Sequence, residues 1–455
     1  MKTPTRFATV FALLLGALSA ATPRPPNIVV ILSDDQGYAD ISFNPHHPKE
    51  VSTPHMDALM RESVFFSQGY ISGNVCSPTR AGLLTGRYQQ RAGVYTAGEG
   101  GRGIADSEKI FPRFLTPAGY VTGAFGKWHL GLTVEQGPIG RGFDECYGFL
   151  GRGAHDYVKL DDVDDPIYRG RTPIRDQGYL TTRLTEEAVA FIQKHKAQPF
   201  YVHLAYNAVH APAHAPAEDI ARYRKQFPDL PESRVILMAM LYHLDLGVGR
   251  VVATLKKEGL WENTLFFFLT DNGGSKAMNA VNTPLRGFKQ ENYEGGIRTP
   301  FAVSWPARFK GGRTLATPVI SLDILPTALA AAGVALPTDR PLDGKSLLPL
   351  LTGETRPHHE NLFWSEGGSS GEWAVRSGDW KLVAAKEKRE LFNLAADPAE
   401  AKNLAATSSD KIAALTKLYD TWLDQMAEPM DGVGKRWKAD AEPKAKQKRN
   451  KKAEK

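Results

Sequence analysis

Cysteine is nearly absent from this chain: Cys76 and Cys146 are the only two in 455 residues. One possible pair is not a disulfide scaffold. Long hydrophobic runs are missing too. After the first twenty or so residues no segment reads as apolar for long enough to span a bilayer. There are no internal repeats. A basic body is also lacking, although the formal charge is +6. Residues 435–455 carry ten Lys/Arg against three Asp/Glu, a balance of +7, and Lys2 with Arg6 add +2. Without these two ends the body stands at −3, which excludes a nucleic-acid-binding role for the whole protein.

The remaining composition is that of a globular protein, with 42% hydrophobic and 23% charged residues. Residues 1–21 differ: Lys2 and Arg6 precede an apolar run from Phe7 to Leu18, followed by small residues. This pattern predicts a cleaved signal peptide and a secreted or periplasmic protein, with no cysteine placed for a lipid anchor. The Lys/Ala-rich tail at 435–455 is predicted to be disordered. It could grip an acidic polymer or simply be solvated.

Four apolar runs end in polar residues. Asn27–Leu32 leads to Asp34 and Asp35, and Val121–Phe125 to Lys127 and His129. Phe200–Tyr206 leads to His210, and Thr264–Thr270 to Asp271 and Asn272. Continuous apolar strands are buried on both faces, so we expect an α/β fold: a large mixed, mostly parallel sheet flanked by helices. Helical periodicity appears around 180–195, 233–258 and 322–333. Sites in such sheets lie beyond the carboxyl ends of the strands, so the four polar groups should converge. A Pro/Gly-rich linker over 337–359 should separate a main domain, 26–336, from a small C-terminal α+β domain, 360–430, with an antiparallel sheet.

Cys76-Ser-Pro-Thr-Arg80 puts a cysteine where a helix should begin, with Pro78 in the first turn and Arg80 one turn on. A lone cysteine is usually a small buried residue; here a nucleophile at an anion-attracting helix end is the alternative. If Cys76 has a chemical role, Cys146 is a free buried thiol. Asp34, Asp35, Asp271 and Asn272 are hard oxygen donors suited to Ca²⁺ or Mg²⁺ rather than zinc. Lys127 and His129, two apart, would face one way on an extended backbone. Lys289 lies in a glycine-containing segment whose Arg286, Glu294 and Arg298 read as internal ion pairs.

Together these motifs resemble a type I sulfatase of the alkaline-phosphatase superfamily over roughly residues 26–430. Cys76-Ser-Pro-Thr-Arg80 resembles the signature that directs oxidation of cysteine to formylglycine, and Gly126-Lys-Trp-His-Leu-Gly131 the second signature. The resemblance implies a sulfuric ester hydrolase in which hydrated formylglycine from Cys76 attacks sulfur, forms a sulfo-enzyme and collapses to the aldehyde. It implies that Arg80 and His129 hold the hydrate, with His129 taking the proton. Lys127 would bridge nucleophile and sulfate, and Lys289 and His210 would bind sulfate and protonate the leaving alcohol. Asp34, Asp35, Asp271, Asn272 and the modified Cys76 would bind Ca²⁺, rather than Mg²⁺. The implied partners are a sulfated small molecule or polysaccharide and a formylglycine-generating maturation enzyme, with no nucleic acid and no membrane span. After the Gly-Phe-Leu-Gly stretch, where some family members place a substrate-contacting serine or histidine, His155 is this chain's nearest equivalent, and His214 is a second substrate candidate. Arg169, Arg171 and Arg175 could meet further sulfates or be a solvated loop. Two alternatives stay open: a phosphodiester or phosphonate monoester hydrolase, and a non-catalytic sulfated-polymer binder.

Overall fold

The computed structural model describes residues 24–151, 153–366 and 371–430. The expected leader and basic tail lie outside these residues. Ten strands form the main sheet, in the order 313–315, 64–66, 301–304, 264–270, 27–33, 200–205, 121–127, 145–149, 167–169 and 172–174. The four expected apolar strands are its centre, and with Glu145–Phe149 they run parallel. Antiparallel strands pair at both flanks.

The strand Asn27–Ser33 is buried throughout because both faces are covered. Val29 and Ile31 pack into one hydrophobic layer; Ile28, Val30 and Leu32 pack into the other. Burying each such side chain is worth roughly 1.5–3 kcal/mol, so the strand ends are held rigidly in register. Leu180–Lys194 and Glu232–Lys257 cover one face, as the periodicity predicts. The expectation that no later segment could span a bilayer needs correcting: by length and composition Glu232–Lys257 could cross one. Its apolarity serves packing instead, since Val235, Leu237, Leu241, Leu244 and Val248 are buried against the sheet.

C-terminally, Asn361–Ser365, Glu372–Ser377, Trp380–Ala385 and Lys388–Asn393 form a four-stranded antiparallel sheet. The helix Ser409–Leu423 covers it, with Tyr419 stacked 4.1 Å from Trp373. Trp364 donates its indole N–H to the Ile71 carbonyl at 2.7 Å, so the hydrophobic core runs continuously between the two sheets. The stretch expected as a linker is packed down: Leu347, Leu350 and Leu351 are buried, and His359 bonds the buried Asp323 at 2.8 Å.

Candidate active site

The helix Cys76–Thr85 begins at Cys76, after an extended Val75, with Pro78 in the first turn. It stops where Gly86 takes φ 66°, a left-handed conformation that suits glycine, and returns its N–H to the Gly82 carbonyl at 2.8 Å. Every residue of the helix is buried, which brings its N-terminus against the sheet. Ser77 Oγ donates to the His129 carbonyl at 2.9 Å, tying this helix to the loop after Val121–Lys127.

Arg80 organises the centre. Its Nη2 lies 2.7 Å from Asp271 Oδ2 and 3.2 Å from Asp34 Oδ2, while Nη1 donates to the Lys127 carbonyl at 2.9 Å. Burial disfavours the guanidinium charge, but Asp271 and Asp34 outweigh it and keep Arg80 protonated. Lys127 Nζ reaches Asp34 Oδ2 at 2.5 Å, and Lys289 Nζ reaches Asp35 Oδ1 at 2.7 Å. His210 Nε2 sits 3.7 Å from Asp35 Oδ2, and Asn272 Nδ2 donates to Asp35 Oδ1 at 2.7 Å. Three carboxylates therefore face three fixed cations in one buried cluster.

Backbone geometry supports this convergence. Asp271 N–H bonds the Ser33 carbonyl, and Asp34 N–H the Ala208 carbonyl, so adjacent strand ends are stitched together. Gly273 is required by close approach, since a Cβ there would lie 1.8 Å from the Gly295 carbonyl oxygen. Asp35 and His129 hold left-handed φ values of 58° and 57°, a strain non-glycine residues carry where surrounding contacts fix them. The extended path expected through Lys127–His129 thus breaks at His129.

Burial pushes the Cys76 thiol up, against the opposing pull of Lys127 and Lys289, so unmodified Cys76 is a neutral thiol here. Burial, with Lys127 and Arg80 beside it, holds His129 well below the usual histidine range, hence neutral. Burial and the nearby Asp34 raise the Asp271 carboxyl. Burial opposes the Lys289 charge, but Asp35 leads the groups that outweigh it.

The donor set fits a hard cation. Asp34 Oδ1 and Asn272 Oδ1 are buried with no protein partner, the state of oxygens shaped for a ligand. Ligand atoms of Asp34, Cys76 and Asp271 lie within 4.8 Å of one another, as do those of Asp34, Asp35 and His210. His129 Nδ1 is likewise buried and unpartnered.

Ten of the twelve residues singled out in the sequence are thus brought together. His155 and His214 are placed differently. The His155 ring nitrogens face the Asp156 and Asp165 carbonyls at 2.6 and 2.8 Å, and its ring packs on Phe149. His214 Nδ1 pairs with Asp156 at 3.3 Å. Arg169 is held by Glu187 and Arg171 lies 3.7 Å from Glu135. Cys146 is a free buried thiol facing the Gly170 carbonyl. Asn207 escaped the sequence reading: it is buried at the end of Phe200–Ala205, and both polar atoms of its side chain lack a protein partner. Its nearest sequence signal is a position three residues before His210.

A parallel-centred sheet with paired carboxylates and cations at its strand ends is the arrangement expected of the alkaline-phosphatase superfamily that the motifs resemble. Residues 26–334 match the sulfatase family and residues 288–428 match the C-terminal region of N-sulphoglucosamine sulphohydrolase; the chain belongs to the sulfatase family and is a sulfatase. It is 34% identical to mouse N-acetylgalactosamine-6-sulfatase over 81% of this chain and 73% of that protein. It is 30% identical to the uncharacterized sulfatase YdeN of Escherichia coli K12 over 91% of this chain and 88% of that one. Among solved structures, Ps i-CgsB in complex with k-i-k-neocarrahexaose superposes with a TM-score of 0.85 at 32% identity. That likeness covers 92% of this chain and 98% of the other.

Proposed function

We propose that this sulfatase removes sulfate from a sulfated carbohydrate, using Cys76 in its formylglycine form and a bound Ca²⁺. The observation that carries this is the cluster itself: a neutral Cys76 among Lys127, Arg80 and Lys289, beside orphaned Asp34 and Asn272 oxygens. As hydrated formylglycine, residue 76 would supply one hydroxyl to attack sulfur and a second whose deprotonation lets sulfate leave. Asp34, Asp35, Asp271 and Asn272 would hold Ca²⁺, which would neutralise sulfate and nucleophile oxygens.

The chain's own groups take the remaining work. Arg80 fixes the carboxylates around the nucleophile, and Lys127 places a positive charge between nucleophile and sulfate. Neutral His129, whose Nδ1 has no protein partner, offers a hydrogen-bond acceptor to the nucleophile's hydroxyl. Lys289 and His210, both on Asp35, face the leaving oxygen: Lys289 grips sulfate as a cation and His210 donates the proton. The carbohydrate reading rests on the likeness to N-acetylgalactosamine-6-sulfatase and to a sulfatase structure holding a neocarrahexaose. The leader-like residues 1–21 support export, and maturation needs a separate formylglycine-generating enzyme.

Release of sulfate from defined sulfated saccharides, a steroid sulfate, an aryl sulfate and an aryl phosphonate tests this reading. Preference for the steroid sulfate overturns the carbohydrate assignment, and preference for the phosphonate overturns sulfate-ester specificity. Mass spectrometry of the Cys76 peptide should show formylglycine in active material; fully active protein with an intact thiol rules the mechanism out.

A further inference from the structure

The sheet divides the site into two halves. Metal-type oxygens come from the ends of Asn27–Ser33 and Thr264–Thr270, whereas His210, Lys127 and His129 follow Phe200–Ala205 and Val121–Lys127. Asn207 belongs to the second half. Within Phe200–Ala205, Val202 and Leu204 pack into the layer beneath Leu180–Lys194, while Tyr201 and Ala205 face the opposite layer. Asn207 lies just past the end of that strand, where the backbone enters a turn. Around it the backbone stays bonded to the neighbouring strand end: Tyr206 N–H to the Leu32 carbonyl, Asp34 N–H to the Ala208 carbonyl and Val209 N–H to the Asp34 carbonyl. Asn207 is therefore held beside the strand end that carries Asp34, whose carboxylate pairs with Arg80 and Lys127.

Its amide is 1% exposed, and neither Nδ2 nor Oδ1 has a protein partner. A buried amide without a partner is costly, and native folds rarely keep one without a use. The other orphaned atoms here are accounted for: Asp34 Oδ1 and Asn272 Oδ1 by a cation, His129 Nδ1 by the nucleophile's hydroxyl. Asn207 is needed for neither. We propose that Asn207 is a further sulfate-binding residue, its amide N–H donating to an oxygen of the bound sulfate group. A neutral donor here adds a directed hydrogen bond on the anion without adding to the charge of Lys127 and Lys289.

This inference rests on sulfate-ester hydrolysis at the site, and the test separates the two. Matured, calcium-loaded wild type, Asn207→Ala and Asn207→Asp are compared for aryl sulfate turnover and for thermal stabilisation by inorganic sulfate. Asn207→Ala should lower kcat/KM by about 10- to 100-fold and abolish most of the sulfate-induced rise in Tm. Its Tm without sulfate should stay equal to or above wild type, because an unsatisfied buried amide has been removed. Asn207→Asp should be worse than alanine, since a carboxylate repels sulfate. Wild-type turnover and sulfate stabilisation in Asn207→Ala overturn the proposal. So does a loss of basal Tm that parallels the loss of activity, which marks a packing role. Full activity in Asn207→Asp also overturns it and makes the side chain a cation ligand instead. Failure of wild type itself to turn over any sulfate ester defeats the sulfatase reading and leaves sulfate binding as the readout for Asn207.

Discussion

At the scale of single residues, two side chains give the proposed chemistry its sharpest tests. A buried cysteine whose thiol is pushed up by desolvation is a poor nucleophile as it stands. Replacing it should therefore remove chemistry and not architecture. Cys76→Ala should cut kcat by at least ~10³-fold with circular dichroism and Tm close to wild type, because a small side chain replaces a small one. Substantial residual turnover in a Cys76→Ala preparation free of wild type would refute a nucleophile at this position. His210 makes a different prediction. Its ring is held near Asp35 and partly exposed. His210→Ala should slow esters with poor leaving groups by roughly 10²-fold or more and scarcely affect those with acidic phenols. Rates measured across a series of aryl sulfates check this, and a uniform loss would assign His210 to binding alone.

At the scale of elements, the short helical turn Glu294–Ile297 connects the catalytic loops to the small sheet. Its backbone touches Arg286 and Gly273, and so carries the segment holding Lys289 and the loop holding Asn272. The Glu294 carboxylate accepts Tyr70 Oη at 2.7 Å and Lys381 Nζ at 2.9 Å; Lys381, fully buried, also pairs with Glu400 at 2.9 Å. Lys381→Met would leave two buried carboxylates without their shared cation, a loss of ~3–5 kcal/mol readable by urea or thermal unfolding. An unchanged midpoint would show the ion triad to be dispensable. Burial opposes ionisation of Glu294, but Lys381 and its neighbours win and hold it at about 2. A depressed carboxylate stabilises the fold above its unfolded value, so this contribution should fade as pH falls from the ordinary glutamate range toward 2. Glu294→Gln should flatten that acid limb. The triad also marks where sequence reading stops. The pairing of Arg298 with Glu294 was legible because the two sit one turn apart, whereas Lys381 lies 87 residues from Glu294 and nothing local announces it. Central strands were legible from unbroken apolar runs buried on both faces. Flanking strands such as Val64–Phe66, Arg313–Leu315 and Thr172–Ile174 are three residues each, and distant pairing, not local pattern, creates them. The ten clustered site residues were legible because each follows a strand or sits in a family motif. Asn207 was not, because only the folded chain shows it buried without a partner beside Asp34.

Across the whole molecule, the site is a closure of distant segments. Asp34 and Asp35 follow the first described strand, Cys76 opens the helix Cys76–Thr85, and Asp271 with Asn272 follow the strand Thr264–Thr270. Arg80 and Lys127 already neutralise part of the carboxylate charge, yet Asp34 Oδ1 and Asn272 Oδ1 remain unpaired and Asp271 is raised by burial and by Asp34. Those features fit a native fold that a bound cation would stabilise. A cation at 100 times its Kd adds ~2.7 kcal/mol, and for a chain of this size each kcal/mol moves Tm by roughly 2–4 °C. Exhaustive chelation should therefore lower Tm by several degrees and abolish turnover together. Calcium should restore both; magnesium should restore less, because a smaller ion demands strict octahedral geometry that ligands spread over three elements supply poorly. The same titration on Asn272→Ala should start from an apo midpoint lowered by the lost hydrogen bond to Asp35 and need more calcium to reach half of its rise in Tm, because the bound state has also lost a ligand. If chelation leaves both Tm and turnover at their starting values, the orphaned oxygens are not cation ligands, and the strand ends are held by Arg80 and the lysines alone.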